Sequence, residues 1–280
     1  MSFDKILNDI EEKAYKNSKI NDGDYKVDGL LYCGKCNTPK QCRVEVFGKI
    51  RTPYCLCKCE EKKRDIENEN VKHKAFLNKV NQLRKMGFPD EELKNCKFSR
   101  DDKANPKASG ACYKYAKNFN EILKKGKGLV INGSVGSGKT FLAASIANEL
   151  IDKGYPCLVT NFSRLTNTLT GMYEGKQAYI DGLNKFDLLV IDDFAAERDT
   201  EYMNEIIYNI IDSRYRSGKP MIITTNLDTK DLFNATDIKK QRIYSRILEM
   251  CVPLSINGED RRKNQFKKNH YELGEILKNG

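Results

Sequence analysis

No stretch of this 280-residue chain approaches the ~18–20 consecutive apolar residues that a helix needs to cross a bilayer, so no membrane-spanning helix is expected. The opening residues, Met1-Ser2-Phe3-Asp4-Lys5, are charged and lack the apolar centre of a secretion signal. A cytoplasmic protein is therefore predicted. The net charge of +10 is not gathered into one basic tail. It suits a phosphate-bearing partner and equally suits simple solubility.

Cysteine is what the chain has in quantity. Ten are present, and in a cytoplasmic protein they point to metal before disulfides. Cys96, Cys112, Cys157 and Cys251 are scattered and read as small apolar residues. The other six lie between Cys33 and Cys59. Cys33-Gly34-Lys35-Cys36 forms one knuckle, and Cys55-Leu56-Cys57-Lys58-Cys59 supplies a second. Between them Val44, Val46 and Ile50 flank a turn at Gly48, as in a hairpin. Two knuckles joined by a hairpin make a zinc ribbon, in which four thiolates close a tetrahedron around Zn²⁺. The second knuckle needs two of Cys55, Cys57 and Cys59. Cys57 and Cys59 are favoured, with Cys42 in reserve.

The strongest motif is Gly133-Ser134-Val135-Gly136-Ser137-Gly138-Lys139-Thr140, which follows an apolar run from Gly128 and precedes a helical pattern opening at Phe141. This is a P-loop in its strand–loop–helix setting. Its glycines let successive N–H groups turn toward phosphate at a helix N-terminus. Lys139 would reach the β- and γ-phosphates and Thr140 would hold Mg²⁺. ATP is the expected ligand.

A second apolar strand, Leu188-Leu189-Val190-Ile191, ends in Asp192 and Asp193, about 50 residues after Lys139, as a Walker B strand does. Asp192 would order the magnesium and Asp193 would polarise the attacking water. A third strand, Met221–Thr225, ends at Asn226. In ATPases with an additional strand, a polar side chain there contacts the γ-phosphate and the lytic water, and Asn226 is assigned that sensor role. Arg242 and Arg246 stand four apart on one helical face. Following the sensor strand they suggest an arginine finger, which acts on a neighbouring subunit and implies self-association. Pro253 marks Val252–Ile256 as an edge strand.

The remaining pattern is coarser. Phe3, Ile6, Leu7, Ile10 and Ala14 predict an amphipathic helix over 2–16, which either packs on its own domain or docks on a partner. Charged residues from Glu60 to about Phe88 predict one or two exposed helices. A loop over 105–110 and a helix over 111–124 lead into the core. Helices are expected over 162–172 and 200–216, and a basic helical tail from Gly258. The chain divides into 1–95, a small zinc-ribbon and helical domain, and 96–280, an α/β P-loop domain with a parallel sheet sandwiched by helices.

Taken together, GSVGSGKT, LLVIDDF, ITTNL, RIYSRILEMC and the closing GEDRR resemble the DnaC/DnaI-type replicative helicase loaders of bacteria and phages. These stand within the AAA+ family, which also holds IstB-like transposition ATPases. The match runs over about residues 96–265, and more loosely over the cysteine lobe, which IstB-like proteins usually lack. The resemblance implies a slow ATPase that loads a DnaB-type hexameric helicase onto single-stranded DNA during replication initiation. Its N-terminal domain would grip the helicase. It also implies Arg246 as the finger, with Arg242 its companion, and DNA contacts near Tyr173, Thr200 and Tyr202. Asp193 stands where Glu is commoner, Ala195 where Gly is, and Arg261 where Tyr is, which weakens any sensor role for Arg262. A transposition-helper ATPase, or a zinc-bearing DNA adaptor with a structural nucleotide, are the alternatives.

Overall fold

The computed structural model describes residues 20–46, 48–195 and 200–256, together with 258, 260, 261, 266, 270, 271, 273 and 277. The helix expected over 2–16, Arg262 and most of the expected tail helix lie outside the described residues. By their contacts the residues form two units, Met1–Leu77 and Asn78–Gly280, so 78–95 group with the second.

The first unit is built from two small hairpins. In one, β1 (Tyr25–Val27) pairs antiparallel with β2 (Leu30–Tyr32) around Asp28-Gly29. Both turn residues have positive φ, 47° and 78°, as the Asp-Gly type I′ turn requires. In the other, β3 (Val44–Val46) pairs with β4 (Lys49–Arg51), and Gly48 takes φ 72° at the turn. A single 30-residue helix, α1 (Lys58–Gly87), then begins inside the second cysteine group.

The second unit opens with the short helix α2 (Glu91–Lys94), then α3 (Pro106–Lys117) and α4 (Phe119–Lys125). Pro106 occupies the first turn of α3, so the expected loop ends at Asn105. Proline suits that position because the N–H it lacks would have no helical partner there. Asn118 interrupts the expected single helix.

Five parallel strands follow: β5 (Gly128–Gly133), β6 (Cys157–Asn161), β7 (Leu188–Phe194), β8 (Met221–Thr225) and β9 (Cys251–Ile256). Between them run α5 (Lys139–Asp152), α6 (Phe162–Thr170), α7 (Lys176–Leu183), α8 (Glu201–Ser217), α9 (Thr229–Phe233) and α10 (Ile238–Met250). Across the sheet the order is β6-β7-β8-β5-β9, so β8 is inserted between the P-loop strand and the Asp192 strand. β9 pairs with β5 alone, at the edge where Pro253 is tolerated.

Successive residues of the strands feed opposite faces. Ile131, Val190 and Ile222 pack with Leu142, Ile146 and Leu150 of α5 and with Phe119, while Val130, Ile191 and Ile223 pack with Leu165, Ile210 and Ile247. Both faces are covered, which is why the strands read as unbroken apolar runs. Arg214 of α8 is fully buried and donates to the carbonyls of Phe186, Asp187 and Pro220, fixing where β7 and β8 begin. Among the described residues no helix is long and apolar enough to cross a membrane.

Candidate nucleotide and metal sites

The P-loop joins β5 to α5. Gly136 and Gly138 have φ of 74° and 98°, which L side chains adopt only at a cost. Gly138 caps α5, so the first-turn N–H groups of that helix face the loop's concavity. Lys139, buried at the head of α5, folds back over the loop. Its Nζ donates to Gly133 O at 3.0 Å, Ser134 O at 2.8 Å and Asn226 Oδ1 at 2.7 Å. Ser137 Oγ is buried and has no hydrogen-bond partner among the described residues. A buried hydroxyl of this kind in a cradle of N–H groups suits a bound phosphate.

The β7 and β8 ends meet beside Lys139 because β8 lies between β5 and β7. Thr140 Oγ1 faces both carboxylate oxygens of Asp192, at 2.8 and 3.0 Å. Burial pushes the Asp192 carboxyl up, and the hydroxyls of Thr224 and Thr140 offset part of that rise. Hydroxyl and carboxylate oxygens facing each other are the hard donors that Mg²⁺ takes. The register between β7 and β8 slips between Ile191 and Phe194. Within that slip Asp193 takes φ 54° and is exposed. A non-glycine residue in this region is strained, and such strain collects at functional sites.

The segment after β9 returns to the P-loop. Ser134 Oγ donates to Gly258 O at 3.0 Å, and Arg261 N donates to Gly136 O at 3.2 Å. The Arg261 guanidinium pairs with Asp102 at 3.1 Å and lies against Gly138, where an added Cβ would stand 2.9 Å from Nη1. This contact had no sequence signal beyond the departure from Tyr.

Arg246, on α10, is engaged within its own chain. Its Nε stands 2.7 Å from Asp212 Oδ1 of α8, and its guanidinium lies over Tyr208 at 4.7 Å and Tyr215 at 5.8 Å. Arg242 also lies over Tyr208, at 5.4 Å, and is the more exposed of the two. Tyr173 is fully exposed. Tyr202, in the first turn of α8, receives a 3.4 Å hydrogen bond from Lys176 Nζ, a residue the sequence reading passed over. Thr200 caps α8, its hydroxyl accepting Met203 N–H at 3.3 Å.

In the first unit the Sγ atoms of Cys33, Cys36, Cys57 and Cys59 all lie within 4.8 Å of one another. Cys42 and Cys55 stand outside the group. With Zn–S bonds of ~2.3 Å, tetrahedral thiolates lie ~3.8 Å apart, a spacing that fits within the limit of this cluster. The Thr38 hydroxyl, 3.0 Å from Cys36 Sγ, draws that thiol down to about 6, while burial pushes Cys57 up to about 12. Cys59 lies in the first turn of α1 and Cys57 immediately before it. Lys40, missed in the sequence, is fully buried beside the cluster and pairs with Asp24 at 2.8 Å and Glu60 at 3.3 Å. Asp24 in turn accepts Gly34 N–H, and Glu60 accepts Cys57 N–H, so both knuckles hang on this network.

Residues 69–269 match the family described as IstB-like ATP binding protein. Over 208 residues the chain is 27% identical to the replicative helicase loader DnaI of Bacillus subtilis (strain 168), covering 69% of this chain and 67% of that protein. Over 238 residues it is 25% identical to the replicative helicase loader DnaC of Buchnera aphidicola subsp. Baizongia pistaciae (strain Bp), covering 82% and 93%. Among solved structures, the crystal structure of DnaI superposes with a TM-score of 0.54 at 26% identity, covering 64% of this chain and 99% of that one. That of the DnaC helicase loader gives 0.50 at 26% identity, covering 60% and 99%. The expected AAA+ sheet, with its additional strand, is the observed one. With its P-loop, its inserted β8 and a family match across most of its length, this chain belongs to the IstB-like ATP-binding family.

Proposed function

We propose that this chain is an ATP-hydrolysing loader that places a hexameric replicative helicase on single-stranded DNA. The observation that carries the reading is the convergence of Lys139, Asn226, Thr140 and Asp192 at the ends of three adjacent strands. That arrangement grips a triphosphate and responds to its γ-phosphate. The two loaders named above span most of this chain, which favours helicase loading over transposition.

In this mechanism the P-loop N–H groups of residues 134–141 bind the phosphates. Lys139 exchanges its carbonyl and amide partners for the β- and γ-phosphates. Thr140 and Asp192 would hold Mg²⁺, which supplies neutralisation of the charge developing on the β- and γ-oxygens. Asp193, exposed at the strand end, orients the attacking water, and Asn226 senses the γ-phosphate. Asp193 is one methylene shorter than the commoner Glu, which favours slow turnover. Arg246 of one copy reaches the γ-phosphate of a neighbour once Asp212 releases it, with Arg242 beside it. Tyr173 and Tyr202 offer rings for base stacking, with Lys176 as the adjacent cation; Thr200 serves there through its cap of α8. The cluster Cys33, Cys36, Cys57 and Cys59 holds a structural Zn²⁺ that stabilises the first unit, which engages the helicase.

The test combines the purified full chain with the replicative helicase hexamer of the same cell, with and without ATP. A stable complex in size-exclusion chromatography and ATP turnover lost in Lys139→Ala are expected. Absence of the complex overturns helicase loading, and equal near-zero turnover in both proteins overturns hydrolysis.

A further inference from the structure

Thr224 lies within β8, two residues before Asn226, and is fully buried. It occupies neither of the strand-end positions that meet the nucleotide in the mechanism above. Its hydroxyl nonetheless joins both acidic residues of β7. Oγ1 donates its one proton to Asp192 Oδ1 at 2.5 Å, and the same oxygen accepts the backbone N–H of Asp193 at 2.9 Å.

The slip between β7 and β8 explains why a hydroxyl is needed here. Ile191 pairs with Ile223 and Phe194 with Thr225, which leaves Asp192 and Asp193 without register partners on β8. The Thr224 side chain stands in for the missing ladder, and so holds Asp193 in its left-handed conformation. A hydroxyl is a donor and an acceptor at one atom. It is therefore suited to fixing one carboxylate by its oxygen and its neighbour by its backbone at the same time. The rest of β8 up to this point, Met221-Ile222-Ile223, is apolar and buried, so Thr224 is the first polar side chain of the strand.

We propose that Thr224 is the positioning residue that sets the geometry of Asp192 and Asp193 relative to each other. It couples the carboxylate facing Thr140 to the carboxylate facing solvent. The inference rests on the roles given above to Asp192 and Asp193. It adds that those roles depend on a residue that touches neither nucleotide nor water.

Thr224→Val keeps the shape and β-branching and removes the hydroxyl. Thr224→Ser keeps the hydroxyl and removes the methyl. Both are compared with wild type as full-length protein whose melting curves show a folded chain. Two readouts are taken: binding of a fluorescent ATP analogue titrated with and without Mg²⁺, and steady-state ATP turnover. For Thr224→Val, nucleotide affinity in EDTA stays within about twofold of wild type, while the Mg²⁺ concentration for half-maximal enhancement of binding rises about tenfold. Its kcat falls about tenfold or more with KM for ATP within about twofold, and Thr224→Ser recovers most of both losses. Wild-type Mg²⁺ dependence in Thr224→Val overturns the inference. So do equal losses in the valine and serine variants, which would make the effect one of packing. If wild type turns over no ATP, the hydrolytic reading fails, and the Mg²⁺ dependence of binding still decides the role of Thr224.

Discussion

Lys139 Nζ and Asn226 Oδ1 are 2.7 Å apart, a hydrogen bond that ties the first residue of α5 to the residue just past β8. In the mechanism proposed above, a triphosphate exchanges this contact, and Asn226 then meets the γ-phosphate.

That exchange separates two variants at one position. Asn226→Ala removes a partner that competes for Lys139, so ATP binds at least as tightly as in wild type. Hydrolysis falls about 100-fold, the usual cost of losing one polar group that stabilises the transition state. Asn226→Asp instead gives Lys139 a fixed counter-ion and sets a negative charge beside the γ-phosphate. Its ATP affinity drops about tenfold or more. Fluorescent-nucleotide titration and phosphate release measure both. Wild-type affinity in Asn226→Asp would show that the contact is not part of the binding site.

Asp192 gives a pH-dependent prediction. Burial raises its carboxyl above the ordinary value of 3.8, so the native state holds a proton there more readily than the unfolded chain. Its contribution to stability is therefore most favourable below the ordinary carboxyl range. It declines as pH rises from that range through the raised folded value. At neutral pH the ionised form therefore detracts from stability. Asp192→Asn accordingly melts at the same or a higher temperature than wild type at pH 7 without ligand. Its advantage shrinks toward pH 4, and its ATP hydrolysis is abolished. Scanning fluorimetry at the two pH values checks this; a clear loss of stability at pH 7 would contradict it.

Much of the second unit was legible because its signals are local and coincide. A glycine loop, an apolar run ending in Asp192-Asp193, and another ending before Asn226 each declare a strand end, and parallel strands bring such ends together. Cys33 and Cys36 were readable from spacing, but the second knuckle was left open among Cys42, Cys55, Cys57 and Cys59 until the fold brought Cys57 and Cys59 to the first pair. What escaped has no sequence periodicity. Thr224 reads as an ordinary β-branched strand residue, because the bulge that gives its hydroxyl two partners is a feature of pairing between strands. The α1 pattern left one or two helices open, since sparse apolar residues do not reveal continuity. Asp28-Gly29 could have been read as a hairpin turn from its residue types, and was passed over beside the cysteines. Lys40 looked like one more surface lysine; its burial depends on Asp24 and Glu60, 16 residues before it and 20 after.

Lys40 therefore tests the first unit. Lys40→Met fills similar space but leaves Asp24 and Glu60 without their shared cation, which destabilises the first unit. Because Asp24 holds Gly34 N–H and Glu60 holds Cys57 N–H, both cysteine knuckles loosen. Zinc release to a chromogenic chelator speeds up at least tenfold relative to wild type, while ATP affinity, set by residues of the second unit, is unchanged. Equal release rates would separate the ion network from the metal site.

Arg246 can act on a neighbouring copy only by leaving Asp212 and the rings of Tyr208 and Tyr215. Two consequences follow. Asp212→Asn weakens the hold within the chain, so hydrolysis becomes more sensitive to protein concentration, with its half-maximal rate reached at several-fold lower concentration. Mixing supplies the decisive comparison. Lys139→Ala keeps Arg246 and does not bind ATP productively, whereas Arg246→Ala binds ATP and lacks the finger. Each alone is inactive. Combined in equal amounts, they place an intact Arg246 beside an intact P-loop at a fraction of their interfaces, and part of the wild-type rate returns. Phosphate release across a range of mixing ratios, peaking near equal amounts, is the expected curve. A flat line at background would confine Arg246 to its ion pair with Asp212 and make it a structural clamp between α8 and α10.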